Sequence, residues 1–274
     1  MQNFDELIRE QRMRYINDRI EALQHQLPLV RQAAAGDLGS IEDPQLIPQV
    51  IPHLIKALKD SNAGVREAAA QSLGRLRAAE AVPALIEASS DKEWRVGKAA
   101  VESLSRIGDP QTVHHFVKIL KDKNLSSIVR STAAYFLGEL RDPRAVEPLV
   151  QTMRSEEDDE FVRGDAAEAL GIIGDPRALP HLVQTLQDDT ASGRVRYHAA
   201  EALGNLGDRR AVPHLIQALN DKDEDVRKYA AKALGKLGDR RAVPHLIPAL
   251  NDENDDVRED AARALGKLCD PQAI

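Results

Sequence analysis

Five of the eight histidines, His53, His115, His181, His214 and His245, stand at one recurring position, each just before a Leu or Phe. Neutral imidazole is the commonest metal ligand, so a histidine ladder invites a metal reading. Residues that recur once per repeat nevertheless lie about one repeat apart, too far to share an ion. That position therefore reads as packing or helix surface. His198 lies off this register. A second ladder, Arg31, Arg66, Arg130, Arg163, Arg196, Arg227 and Arg258, follows a repeated valine. Guanidinium groups in a row can line an anion groove. Regular recurrence favours a structural role, in which each Arg bridges to acids or carbonyls of a neighbouring unit and sets the stacking. Gly97 interrupts the ladder, with Arg95 displaced by one position. No nucleophile–base pair, phosphate-binding loop or metal-ligand set emerges. Cys269 is the sole cysteine, which excludes an intramolecular disulfide and a thiolate cluster. The sequence thus implies no catalytic residue, no cofactor and no metal.

The elements that carry these ladders are short helices in a regular series. The string Val-Arg-x-x-Ala-Ala-x-Ala-Leu-Gly begins at Val226 and Val257 in nearly pure form. Weaker copies begin at Val30, Val65, Val96, Val129, Val162 and Val195, giving eight units 31 to 35 residues apart. Between them runs a second string, GDRRAVPHLIQAL at 207–219 and its relatives. Val226, Ala230, Ala231, Leu234 and Leu237 form one apolar helical stripe, and Val212, Leu215, Ile216 and Leu219 form the matching one. Favoured N-cap residues stand three positions before the repeat valine: Asn62, Ser126, Asp159, Ser192, Asp223 and Asn254, with Glu93 the exception. Asp109-Pro110, Asp142-Pro143 and Asp175-Pro176 mark the starts of first helices. Gly108, Gly174, Gly207 and Gly238 fall where a helix ends in positive φ. Pro180, Pro213 and Pro244 should bend or shorten the first helix. Phe4, Ile8, Ile16, Ile20 and Leu23 line one side of a longer helix, so residues 1–27 read as an N-terminal capping helix and 28–274 as a single repeat array. Residues 270–274 begin a further first helix and stop, leaving an edge that is either a dimerisation surface or a product of where the chain was cut.

The D-P-R-A-V-P-x-L and V-R-x-x-A-A-x-A-L-G strings, as in Asp175 to Leu182 and Val226 to Gly235, resemble short HEAT-like repeats of the phycobilisome-lyase type. Tetratricopeptide and ankyrin signatures are absent. The resemblance spans roughly residues 28–274 and implies an all-α protein, a right-handed α-solenoid of about eight short HEAT-like helix–turn–helix repeats. It also implies a protein partner, a phycobiliprotein or a second HEAT-like subunit. The alternative it carries is a subunit of a phycobilin lyase or isomerase that handles linear tetrapyrroles. Deoxyhypusine hydroxylase shares this solenoid and holds iron through repeated His-Glu dipeptides, which this sequence lacks. The nearest match, Arg196-Tyr197-His198-Ala199-Ala200-Glu201, occurs once with different spacing.

Composition narrows the function further. Among 274 residues the net charge is -7, with both signs interspersed, against a coat for phosphate backbones. No apolar run approaches the ~18 residues of a membrane span, and the N-terminal segment lacks the apolar core of a signal peptide. A cytoplasmic protein–protein scaffold using the concave helix face is the reading that results, with no nucleic acid and no membrane among its partners. Two surfaces are candidates. The 113–129, 146–162 and 179–195 intervals are two residues longer than 212–226, and the same edge of the stack holds Leu125, Ile128 and Phe161 beside these intervals and Trp94 at an earlier helix start. These side chains either form a protein-binding edge or fold inward to cover longer loops. Tyr135, Tyr197, His198 and Tyr229 occupy positions two, three and six after the repeat valine, which should face away from the core.

Overall fold

A helix of seven to fourteen residues buries too little apolar surface to stand alone, so such helices persist only when stacked. The structure, a computed structural model, describes residues 2–108 and 111–269, with side chains described for residues 7–108 and 111–268. The Phe4 side chain, the Asp109-Pro110 cap and the 270–274 segment lie outside the described residues. Among the described residues every regular element is helical. The early helices are α1 (Gln2–Ala22), α2 (Pro28–Leu38), α3 (Ile47–Ala57), α4 (Ala63–Arg75), α5 (Val82–Ala88) and α6 (Trp94–Ile107). Next come α7 (Thr112–Lys121), α8 (Ser127–Leu140), α9 (Val146–Arg154), α10 (Glu160–Ile173), α11 (Leu179–Leu186) and α12 (Gly193–Leu206). The last are α13 (Val212–Ala218), α14 (Glu224–Leu237), α15 (Val243–Ala249) and α16 (Asp255–Cys269).

The chain divides into two compact units, 1–115 with 124–132 and 116–123 with 133–274. In the first, α1 packs on α2 through the buried Ile16, and α2, α4 and α6 pack in series with α3 and α5 behind them. In the second, α10, α12, α14 and α16 pack in series, each on its own preceding short helix. This is an α-solenoid. The serial contact is close because small residues face each other. A Cβ on Gly171 would stand 2.6 Å from the Cα of Ala202, a separation that only a bare glycine permits.

The capping chemistry is as the sequence predicts. Asn62, Ser126, Asp159, Ser192, Asp223 and Asn254 accept hydrogen bonds from amides of the following turn, and Glu93 accepts none. Gly108, Gly174, Gly207 and Gly238 adopt φ of 67° to 75°, and Arg77 and Arg141 take the same left-handed position at φ 49° and 50°. The prolines act by breaking the first helix: a 3-10 turn such as Pro176–Ala178 precedes α11, which begins one residue before Pro180. One expectation changes. The two extra residues of the 146–162 interval lengthen the helix, since α9 has nine residues and α13 seven, while the following loop stays the same length. In the 179–195 interval one residue extends α11 and one the loop. Continuing a helix satisfies backbone groups that a longer loop would leave to solvent.

Candidate functional site

The arginine ladder resolves into clamps between successive units. Arg66 donates through Nε and Nη2 to the two oxygens of Asp91, at 2.7 and 2.8 Å, and through Nη1 to the carbonyl of Asp60 in its own turn. Arg31 with Asp60, Arg196 with Asp221 and Arg227 with Asp252 repeat the bidentate geometry. Each of these aspartates also accepts the amide two residues on. Hydrogen bonds from Arg31 and Arg227 hold the carboxyls of Asp60 and Asp252 below the usual range. At Asp91 burial pushes upward and is outweighed by Arg66 and the Glu93 amide, so its net shift is downward. Arg163 turns instead to the carbonyl of Met153. Arg258 donates to the carbonyls of Asp252 and Glu253 in its own turn, so four of the seven arginines serve as clamps between units.

With those positions spent, chemistry is left to the face formed by positions two, three and six. In the second unit it carries a cluster on α10, α12 and α14. Tyr197 and Tyr229 stack at 5.0 Å with an interplanar angle of 17°, and Lys232 lies 4.8 Å over the Tyr229 ring. Arg194 lies 4.3 Å over Phe161, donates to the Tyr197 hydroxyl at 3.2 Å and approaches Asp165 to 3.6 Å. Tyr135 is exposed and packs edge-on against Phe136.

His198 departs from expectation. The sequence places it on an outward face, yet it is only 7% exposed. Gly164 on α10 explains this: a Cβ there would stand 2.8 Å from His198 Cδ2, so the missing side chain is the space the ring fills. Tyr197 covers it at 4.4 Å between centroids. Neither ring nitrogen has a hydrogen-bond partner. Burial, then the Arg194 charge, pushes its pKa down to about 4, so the ring is neutral near pH 7. Glu168 lies 3.7 Å from Nδ1, which is neither a hydrogen bond nor, with a neutral ring, an ion pair. Desolvation, then the neighbouring Glu201 and Asp165, raises the Glu168 pKa. Asp165, Glu168 and His198 bring one ligand atom each within 4.8 Å of one another. The sequence reading missed this trio. Its signal was Gly164, where the other units carry Gln32, Glu67, Lys98, Ser131, Tyr197, Lys228 and Glu259.

The other candidates are more dispersed. Trp94, Ile128, Tyr135 and Phe161 are between 39% and 51% exposed, and Leu125 is half-buried. Trp94, Ile128 and Phe161 are too exposed to be folded inward over the turns. Arg95 lies over the Trp94 ring at 5.5 Å. In the acidic stretch Glu156-Glu157-Asp158-Asp159-Glu160 before Phe161, Asp158 is buried and ion-paired with Lys123, and Asp159 caps α10. In the first unit a cleft of about 860 Å3 opens beside Tyr15 and Ile16 and is bridged by an Arg12–Asp43 ion pair. Among the described residues no helix is long and apolar enough to cross a membrane.

Helical hairpins stacked in series, with clamps between turns, define an α-solenoid. The chain belongs to the HEAT-repeat family, whose model matches residues 16–77, 51–135, 125–194 and 190–266. Such repeats generally mediate protein–protein interaction. No curated protein matches the sequence. Among solved structures, YibA of E. coli is similar at 25% identity over 81% of this chain and 80% of that one, with a TM-score of 0.57. A chain from the structure in which Kap95p binding induces the switch loops of RanGDP to adopt the GTP-bound conformation is 15% identical. It covers 92% of this chain, which spans 40% of that one, with a TM-score of 0.70, a likeness of fold alone. Human deoxyhypusine hydroxylase in complex with glycerol is 25% identical over 97% of this chain and 99% of its own, but a TM-score of 0.42 carries no argument.

Proposed function

We propose that the protein is a non-catalytic scaffold that holds a partner polypeptide on the outward faces of its second helices, chiefly α10, α12 and α14. The stacked Tyr197–Tyr229 pair is the observation that carries this reading. Two tyrosines held ring to ring are already ordered, so a partner gains large contact area at little further entropy cost. Tyr135 and Phe161 extend the apolar part of that unit's surface, while Lys228, Lys232 and Arg194 give it a charged rim. Trp94, Leu125 and Ile128 are anchors of the first unit. Within the HEAT family, the strings at 175–182 and 226–235 favour the phycobilisome-lyase branch, whose partners would be a phycobiliprotein or a second HEAT-like subunit, in the cytoplasm.

The test uses Tyr135→Ala and Tyr229→Ala, with Tyr15→Ala on α1 as control. Affinity for the captured, purified partner is measured by calorimetry. Each true anchor should cost about 2 kcal/mol, roughly 30-fold in affinity. Unchanged affinity in both variants, with helical circular dichroism intact, would remove the proposal.

A further inference from the structure

We infer that Asp165, Glu168 and His198 form a binding site for a divalent first-row transition-metal ion, of which Zn2+ is the simplest probe. The inference is independent of the scaffold reading. Its first ground is geometry. Asp165 and Glu168 stand one turn apart on α10, and His198 faces them from the next helix in the series, α12. One ligand atom from each lies within 4.8 Å of the others, and His198 Nδ1 stands 3.7 Å from the Glu168 carboxylate. Metal–ligand bonds of roughly 2.0–2.2 Å in tetrahedral array place ligand atoms roughly 3.4 Å apart. The observed separation is too long for a hydrogen bond and close to what a shared ion requires.

The second ground is the state of His198. A buried polar nitrogen without a partner is costly, and native interiors nearly always satisfy such groups. Here both ring nitrogens are buried and both lack a hydrogen bond. Nδ1 is directed toward the Glu168 carboxylate, while the Cδ2–Nε2 edge rests over Gly164. An ion at Nδ1 gives that nitrogen the partner the protein alone does not.

The third ground is charge. Glu168 has the carboxylates of Glu201, Asp165 and Glu139 near it and the Arg194 cation, while Lys232 pairs with Glu201. A divalent ion would relieve the repulsion among these neighbouring carboxylates. One imidazole and two carboxylates suit zinc, iron, nickel or manganese more than calcium, which takes six to eight oxygens. Three protein ligands also leave a fourth position for water or for a side chain brought by another molecule. The half-exposed carboxylates keep that position open to solvent.

The test is a Zn2+ titration of chelator-washed, full-length protein by calorimetry, with Co2+ absorbance as a geometric readout. The wild type should bind one equivalent, develop tetrahedral Co2+ bands and melt at a higher temperature with Zn2+, because only the folded state assembles the site. Loss of an outer-shell partner already costs 10- to 100-fold in affinity, so His198→Ala and Glu168→Gln should each weaken binding by at least about tenfold and abolish the Co2+ bands. Gly164→Ala, which displaces the ring without altering a ligand, should weaken binding too. Glu168→Gln, a change at a half-exposed side chain, keeps the test valid if His198→Ala fails to fold. No binding by the wild type, or binding that Glu168→Gln leaves undiminished, overturns the inference.

Discussion

The α4–α6 pair of the first unit and the α10–α12–α14 series of the second share one frame and use it differently. Both have the repeat valine in the core, and both have an arginine clamped to the aspartate of the next turn. In both a glycine faces a small residue where helices touch, Gly74 against Ser103 in the first and Gly171 against Ala202 in the second. There the first unit adds a hydrogen bond, since Ser103 donates to the carbonyl of Ala70 at 2.8 Å. The contrast is sharpest three residues after the valine. Ala68 and Ala99 stand there in the first unit, Asp165, His198 and Tyr229 in the second. Stacking constrains the valine, arginine, alanine and glycine positions and leaves the outward ones open. Chemistry can therefore accumulate in one stretch of a repeat array without disturbing the stack.

The largest effect that could break this equivalence is loss of a clamp. Arg66→Met and Arg196→Met each leave a largely buried aspartate without its guanidinium, at a cost of about 3–5 kcal/mol in urea denaturation. A common frame requires the two costs to agree within about 1 kcal/mol. A much smaller loss for Arg66 would mean that the first unit does not depend on its clamp. Next comes helix contact. Gly171→Ala places a methyl group against the backbone of Ala202 and should cost about 2 kcal/mol, even though alanine is the better helix former. Gly36→Ala, with nothing within 4 Å, should be neutral or stabilising by up to about 1 kcal/mol. Melting temperatures of the two variants should move in opposite directions.

The frame was legible because every part of it recurs. Caps, positive-φ glycines and the stacking role of Arg66, Arg196 and Arg227 all follow from residues repeated in unit after unit. The candidate site was legible only in part. Periodicity tells which way Tyr229 or His198 points from its own helix. It does not tell what the adjacent helix places opposite. His198 is buried because α10 offers Gly164 there, and Glu168 and Asp165 meet it because consecutive helices align their third and sixth positions. The helix extension in α9 was hidden for a similar reason: residue counts between valines do not say whether an insertion continues a helix or widens a turn.

Acid should act on both regions through the same clamps. Asp60, Asp91 and Asp252 have folded-state pKa values below the ordinary carboxylate range. A depressed folded pKa gives stability that is full above the unfolded value, about 4, and is lost as pH falls through the folded value. Urea midpoints should thus decline as pH falls below about 6.5, where the unfolded chain takes up a proton that buried His198 does not, and drop further below about pH 4 as the clamps are lost. The clamp variants Arg66→Met and Arg227→Met should show a shallower drop, because the paired aspartate then loses the partner that depressed it.

The smallest expected effect tests whether the two units tolerate the same local strain. Arg77 and Arg141 hold the left-handed turn that Gly108, Gly174, Gly207 and Gly238 hold elsewhere, one of the two arginines in each unit. A Cβ at positive φ costs roughly 1–2 kcal/mol, and glycine returns roughly 0.5–1 kcal/mol of that through the greater freedom of the unfolded chain. Arg77→Gly and Arg141→Gly should each stabilise by about 0.5–1 kcal/mol in urea denaturation, and by similar amounts. Equal gains would mean the arginines are tolerated exceptions to one shared turn. A loss at either position would show that its side chain makes contacts worth more than the strain, and that the turn there is not equivalent to its glycine counterparts.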